Sequence, residues 1–226
     1  MTEWWTYRID SFLLFSARTY QRLIESTNTD VWPLQMVTLM AGMGLLLWLG
    51  RPHSQRRDRV VFVLLALAWA WVAWDFLHRR FATINWAADY AALLFALQAV
   101  ALLWVGVSRG GRVRRRKLSP TDPVAILLIV LGVIVYPLLA PMLGRPWVQA
   151  EVFAVAPDPT VITTLGFLLL AEPPRRLLIV VPVLWCLFHG ALLWGLRAGQ
   201  AWVPPAVALL AVACLLWRRK FVLHHF

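Results

Sequence analysis

The side chains best suited to chemistry are a few Asp, His and Tyr residues inside or beside long apolar segments. Asp75 and His78 lie one helical turn apart, Asp89 and Tyr90 begin another apolar run, and Asp158 stands between two prolines. An ionisable side chain in a membrane span is costly if it faces lipid, so it usually lines a cavity or a pathway. We therefore predict an outward-facing polar site for a cation, a proton or a metal ion.

The most specific short pattern is Pro157-Asp158-Pro159-Thr160, which precedes a short apolar run. Asp is favoured as an N-cap and Pro in the first helical turn, so we predict that Asp158 starts a half-length helix. Broken helices of this kind form the binding sites of many transporters. Asp158 and Thr160 are therefore the principal candidates for the site, with Asp89 facing them. The carboxylate would partly neutralise the positive helix end, which argues against a strongly anionic substrate.

Each candidate also has a structural alternative. Asp75 and His78 lie next to Arg79 and Arg80 in the sequence, and the four could simply form ion pairs at a membrane surface. Asp158 could do no more than start its helix. The residue types alone leave these alternatives open.

No recognised catalytic motif is present, and no catalytic residue or cofactor is predicted. Walker, G-x-S-x-G, H-E-x-x-H and C-x-x-C-H patterns are all missing from the sequence. His189 has Cys186 three residues before it, but two ligands are too few for a metal site, so we expect a hydrogen-bonded core histidine. An intramembrane enzyme that uses Asp75, His78 and Asp89 is a third hypothesis for function.

The composition indicates a membrane protein. The chain has 226 residues, of which 61% are hydrophobic, whereas soluble domains contain about 45–50%. The mean hydropathy is +0.68, and charged residues are confined to the ends of apolar runs. The net charge of +11 therefore indicates contact with lipid phosphates and no nucleic acid partner.

The elements that must position these residues are predicted membrane helices. A helix needs about 20 apolar residues to cross a bilayer. We predict an all-α, polytopic helix bundle with about seven crossings, formed by a single domain over residues 1–226. Residues 1–30 are an amphipathic interfacial segment, and residues 31–226 form the bundle. The predicted spans are 32–49, 60–77, 85–107, 123–143, a crossing within 145–172 that is broken at the prolines, 177–196 and 201–217.

The distribution of basic residues favours a crossing over a re-entrant loop at 145–172. If this segment crosses, fifteen of the 22 Lys and Arg residues lie on one side. If it re-enters, they divide equally. Basic residues concentrate on the cytoplasmic side, so we predict a bacterial cytoplasmic membrane protein with its N-terminus outside and its C-terminus in the cytoplasm.

Four passages resemble a known family of small bacterial integral membrane proteins that is catalogued only as a domain of unknown function. They are WTYRIDSFLLFSARTYQRL, NTDVWP, TINWAADYAALLFALQ and PDPTVITTLGFLLL. They are spread over most of the chain, so the resemblance implies one whole-length domain. Some relatives carry a general permease label. Cys-Pro-Thr commonly stands in this family where the present chain has Asp158-Pro159-Thr160, so a function that depends on that thiol would not transfer.

Two functions are expected from these features. The first is a small transporter or permease for a cation, a metal or a proton-coupled solute, with its site near Asp158. The alternative is a non-catalytic membrane subunit or assembly partner, with residues 1–30 docking onto a larger complex. Expected partners are the lipid bilayer, a small cation or solute, and a second copy or another membrane protein.

Overall fold

Apolar runs fold as helices because a helix satisfies its backbone N–H and C=O groups without water. The computed structural model describes residues 15–51, 54–108, 120–172 and 175–223, with side chains as far as residue 218. These residues form helices and connections without a strand, which confirms the predicted all-α fold. The helices are α1 (Ala17–Asp30), α2 (Leu34–Leu49), α3 (Gln55–Trp71), α4 (Ala88–Val107), α5 (Asp122–Val130), α6 (Tyr136–Met142), α7 (Pro157–Leu170), α8 (Arg176–Gly195) and α9 (Val203–Leu223).

Two of the long apolar helices contain a π-helical stretch. After α3 the chain continues through Val72–Arg80, and Leu131–Val135 joins α5 to α6. The widened turns of a π-helix often occur near functional residues. One of the two stretches contains Asp75, and the other ends where Tyr136 begins α6.

Four described helices are long and apolar enough to cross a membrane: Gln55–Thr83, Ala88–Val107, Asp122–Met142 and Arg176–Gly195. The α1–α2 pair makes a fifth only if it is one span, although it bends by 90°. The helices α7 and α9 are apolar but shorter. The structure is thus compatible with a polytopic membrane protein, and the count of seven crossings stays a prediction.

The predicted amphipathic segment is helical from Ala17 to Asp30, and its residues 1–14 lie outside the described part of the chain. Ser16 caps α1 by accepting a hydrogen bond from the Thr19 N–H at 3.2 Å. The buried side of the helix packs on the protein, because Asn28 donates to the Val148 and Ala150 carbonyls at 2.7 and 2.8 Å. The helix α1 is therefore part of the bundle and covers its connection between α6 and α7.

The helix α7 lies in the interior, and all of its side chains are buried. It approaches α5 and its π-helical extension closely at two glycines. A Cβ at Gly132 would lie 2.3 Å from Thr163 Oγ1, and one at Gly166 would lie 2.6 Å from the Ala125 carbonyl. Small residues allow helix backbones to pack this closely, which fixes the position of α7.

One prediction about α7 is wrong. The helix begins at Pro157 after the N-cap residue Ala156, and no side chain caps it. Asp158 therefore lies in the first turn and does not cap the helix. Its carboxylate turns towards α6 and α8, where donors from other helices reach it.

Candidate functional site

Asp158 is held by side chains from two neighbouring helices. The Tyr136 hydroxyl donates a short hydrogen bond to Oδ2, and the Trp185 indole Nε1 donates to Oδ1 at 2.8 Å. His189 Nδ1 lies 2.7 Å from the same Oδ1. The carboxylate is 1% exposed, so these contacts replace the hydration that it loses on burial.

His189 continues the arrangement towards α1. Its Nε2 lies 3.1 Å from the Tyr20 hydroxyl, and its ring stacks on Trp185 with centroids 4.9 Å apart and planes 17° apart. The Nδ1 contact with Asp158 is short but lacks the alignment of a hydrogen bond, and it is an ion pair when His189 is protonated. We call Tyr20, Tyr136, Asp158, Trp185 and His189 the Asp158 cluster.

Thr160 supports the turn that leads into α7. Its hydroxyl accepts from the Ala154 N–H at 2.8 Å and donates to the Ala156 carbonyl at 2.7 Å. Ala154 has a positive φ of 62°, which L-residues seldom adopt, and this hydrogen bond holds it. The observed role of Thr160 is to shape the connection that positions Asp158.

Glu151 is a second buried acid near the cluster, in the connection between α6 and α7 and outside the long membrane-compatible helices. Its Oε1 accepts a long hydrogen bond from Gln200 Nε2 at 3.5 Å, and its Oε2 has no hydrogen-bond partner. A buried carboxylate oxygen without a partner is uncommon in proteins, because its lost hydration is not replaced.

A cavity of about 230 Å³ lies beside the cluster. Tyr20, whose hydroxyl contacts His189, forms part of its wall. The other polar lining residues are Gln21, Arg145, Arg197 and Gln200. Tyr20 and Gln200 thus connect the cavity to His189 and to Glu151 respectively.

The other predicted site residues lie in the π-helical stretch after α3 and at the start of α4. Asp75 accepts from Arg79 Nη1 at 3.0 Å and from Arg80 Nε at 3.0 Å, and its side chain is buried. His78 Nδ1 lies 2.7 Å from Asp89 Oδ1, and both side chains are more than half exposed. Asp75 thus pairs with the neighbouring arginines in a buried position, and only the His78–Asp89 pair lies at the surface.

Tyr90 is 66% exposed, and its ring packs edge-on against Trp86. His78 and Asp89 border an open apolar groove between α3 and α4, while Tyr90 borders a second one between α4 and α8.

The structure therefore places only two of the six predicted residues, Asp158 and Thr160, at the start of α7, and it pairs His78 with Asp89 elsewhere. The contacts of Asp158 come from Tyr136, Trp185 and His189, and Asp89 is not among them. Among the described residues, no three His, Cys, Asp or Glu side chains are arranged to hold a metal ion.

Sequence reasoning missed three members of the Asp158 cluster, Tyr20, Tyr136 and Trp185, and placed His189 in the core without its acid partner. One signal was available in part. Trp185 and His189 are four residues apart, so they share a face of α8. The partners on α1 and α6 left no pattern in the sequence, because their contacts join distant segments.

The fold and the cluster define an all-helical protein with four, or up to five, helices compatible with a membrane and a buried Asp158–His189 pair in the described part of the chain. The chain belongs to the DUF6064 family, a family of unknown function whose model matches residues 17–225. This confirms the resemblance to a domain of unknown function. No curated protein and no solved structure matches the chain.

Proposed function

We propose that this protein is a small proton-coupled transporter of the bacterial cytoplasmic membrane, and that the Asp158–His189 pair binds the coupled proton. The observation that carries the proposal is a His–Asp contact of 2.7 Å at 1% side-chain exposure, flanked by one tyrosine hydroxyl on each side. Buried acids and histidines with these neighbours form the proton relays of many pumps and transporters.

The contacts favour a proton over a cation or a metal at Asp158. Both carboxylate oxygens already accept from neutral donors, Tyr136 and Trp185, and Oδ1 also contacts His189. A bound cation would have to displace these donors and find further ligands, which the described residues do not offer as a cluster. A proton needs no additional ligand and can move between groups that are already in contact.

The surroundings of the pair connect it to the polar cavity. Tyr20 links His189 to this cavity, and Gln200, which also lines it, contacts buried Glu151. A proton on His189 would therefore lie one tyrosine hydroxyl away from the cavity.

The proposal includes seven crossings with the N-terminus outside and the C-terminus in the cytoplasm. The excess of basic residues on one side under this topology supports it. The helix α7 is about 21 Å long at 1.5 Å per residue and is shielded by protein on all sides, so it can complete a crossing with the connection before it. Near the C-terminal end of α7, Arg218 of α9 donates to the Leu169 carbonyl at 2.6 Å, so a neighbouring helix also holds this end.

The test is solute-dependent proton entry into proteoliposomes that contain a pH-sensitive dye. A panel of small carboxylates, amino acids and amines is added outside under an inward proton gradient. Tyr20→Phe removes one hydroxyl from the relay and should slow the coupled proton flux by about tenfold, since a hydrogen bond to a charged group contributes ~1.5–3 kcal/mol. Tyr90→Phe is the matched control, because that hydroxyl belongs to a side chain that is 66% exposed.

Two outcomes would overturn the proposal. One is that no solute in the panel moves protons with the wild-type protein. The other is that folded Asp158→Asn protein retains coupled flux, because the pair would then be unnecessary for coupling.

A second candidate function is a non-catalytic membrane subunit, and the exposed side of α2 favours it. Met36, Val37, Met40, Met43 and Leu47 are all large, apolar and at least 42% exposed on this helix. An apolar face of this kind fits lipid or the helix of another membrane protein. Purification in mild detergent separates the cases: a stoichiometric partner supports a subunit, whereas a lone chain that drives proton flux excludes it.

A further inference from the structure

The polar cavity beside the Asp158 cluster meets the proposed proton relay only at Tyr20. Its volume is about 230 Å³, below the roughly 300–1,000 Å³ of pockets that hold drug-sized ligands. At ~30 Å³ per water molecule, it has room for a ligand of about eight non-hydrogen atoms. The cavity therefore fits a small solute.

The charged side chains in the described part of the cavity wall are positive. Arg145 and Arg197 both line the cavity, and no acidic residue among the described ones does. Arg145 is half-buried and makes no ion pair with a described residue, so its guanidinium is available to a ligand. A guanidinium offers paired N–H donors that match the two oxygens of a carboxylate.

Neutral groups complete the wall of the cavity. Gln21, Gln200 and Tyr20 supply polar contacts, and Leu143, Leu193 and Leu196 supply an apolar surface. This combination suits a molecule with one anionic end and a short apolar body. A cation would meet the Arg145 guanidinium there, and no described lining residue would supply a counter-charge for its lost hydration.

We propose that this cavity binds a small organic monocarboxylate through Arg145, as the solute carried with the proton. The inference rests on the proposed function, since it names the substrate class of that transporter. It places the solute on Arg145 and not at the start of α7, where Asp158 would repel an anion. The proton site and the anion site are then separate and joined through Tyr20 and Gln200.

The experiment measures binding and does not depend on transport. Thermal unfolding of the purified protein in detergent is followed with increasing sodium acetate, pyruvate or benzoate, and with sodium chloride at equal ionic strength. We expect saturable stabilisation by at least one carboxylate and none by chloride. Arg145→Gln should weaken that binding by tenfold or more, because it removes the positive charge and its charge-assisted hydrogen bonds to the carboxylate.

Control variants keep this test decisive. Arg22→Gln makes the same charge change on the exposed side of α1 and should leave the binding unchanged. Arg145→Lys keeps the charge without the paired donors and should bind at an intermediate strength.

The inference is overturned if no carboxylate stabilises the protein, or if Arg145→Gln and Arg22→Gln behave alike. Carboxylate binding without proton flux would uphold the anion site and overturn the transporter. Proton flux driven only by an amine would uphold the transporter and overturn the anion site.

Discussion

Two His–Asp pairs in this protein have the same separation but lie in opposite surroundings. His78 and Asp89 are 2.7 Å apart with side chains 52% and 56% exposed, and His189 and Asp158 are 2.7 Å apart with side chains 1% exposed. The exposed pair has no further described hydrogen-bond partners, whereas the buried one is contacted by Trp185 and two tyrosines. The comparison shows that distance alone does not identify a functional pair.

The physical difference between the two pairs is their exposure to water. Water screens the exposed pair, and pairs of this kind contribute about 0–1 kcal/mol. The buried pair has lost its hydration, so removing one partner leaves a buried charge or donor without compensation, at a cost of about 3–5 kcal/mol. This contrast can be measured directly, and the following predictions run from the largest expected effect to the smallest.

Asp158→Asn should destabilise the protein far more than Asp89→Asn. We expect a loss of about 3–5 kcal/mol in the free energy of unfolding for the buried variant. Equilibrium unfolding in detergent measures both variants. The double variant Asp158→Asn/His189→Gln should recover part of the loss, because both ends of the contact are then neutral. Equal effects at Asp158 and Asp89 would contradict the assignment of the buried pair.

Gly132→Ala should displace the turn of α7 that carries Asp158. The added Cβ would lie 2.3 Å from Thr163 Oγ1 and 2.7 Å from the Pro159 carbonyl, and overpacking of this kind costs about 1–3 kcal/mol. Gly44→Ala is the control, because its Cβ would meet no atom within 4 Å. Thermal unfolding compares the two. A smaller effect at Gly132 than at Gly44 would mean that the close contact with α7 is not maintained.

His78→Gln should have the smallest effect. Loss of the exposed pair should change the free energy of unfolding by less than about 1 kcal/mol. The difference should shrink further in high salt, since exposed charges are screened. Unfolding at low and high ionic strength tests this. A large, salt-independent loss would contradict the assignment of this contact to an exposed surface.

The helices were largely predictable, because a long apolar run indicates a membrane-compatible helix without any knowledge of packing. The predicted spans at 60–77, 85–107, 123–143 and 177–196 correspond to the four helices that are long enough to cross a membrane. The amphipathic helix α1 followed from its alternating residues in the same way. Less of the site was predictable. Asp158 was singled out by its prolines, but its expected partner Asp89 lies on the surface with His78.

The sequence by itself determined that this is an all-helical chain with membrane-compatible helices, a short proline-started helix and family membership over residues 17–225. These properties depend on local composition and on patterns within one segment. Only the tertiary structure decided that Asp158 contacts His189 and that Tyr20 and Tyr136 flank the pair. The Tyr20–His189 contact joins residues 169 positions apart. Such contacts depend on how α7 packs between its neighbours. The residue pattern of a single helix does not contain that information.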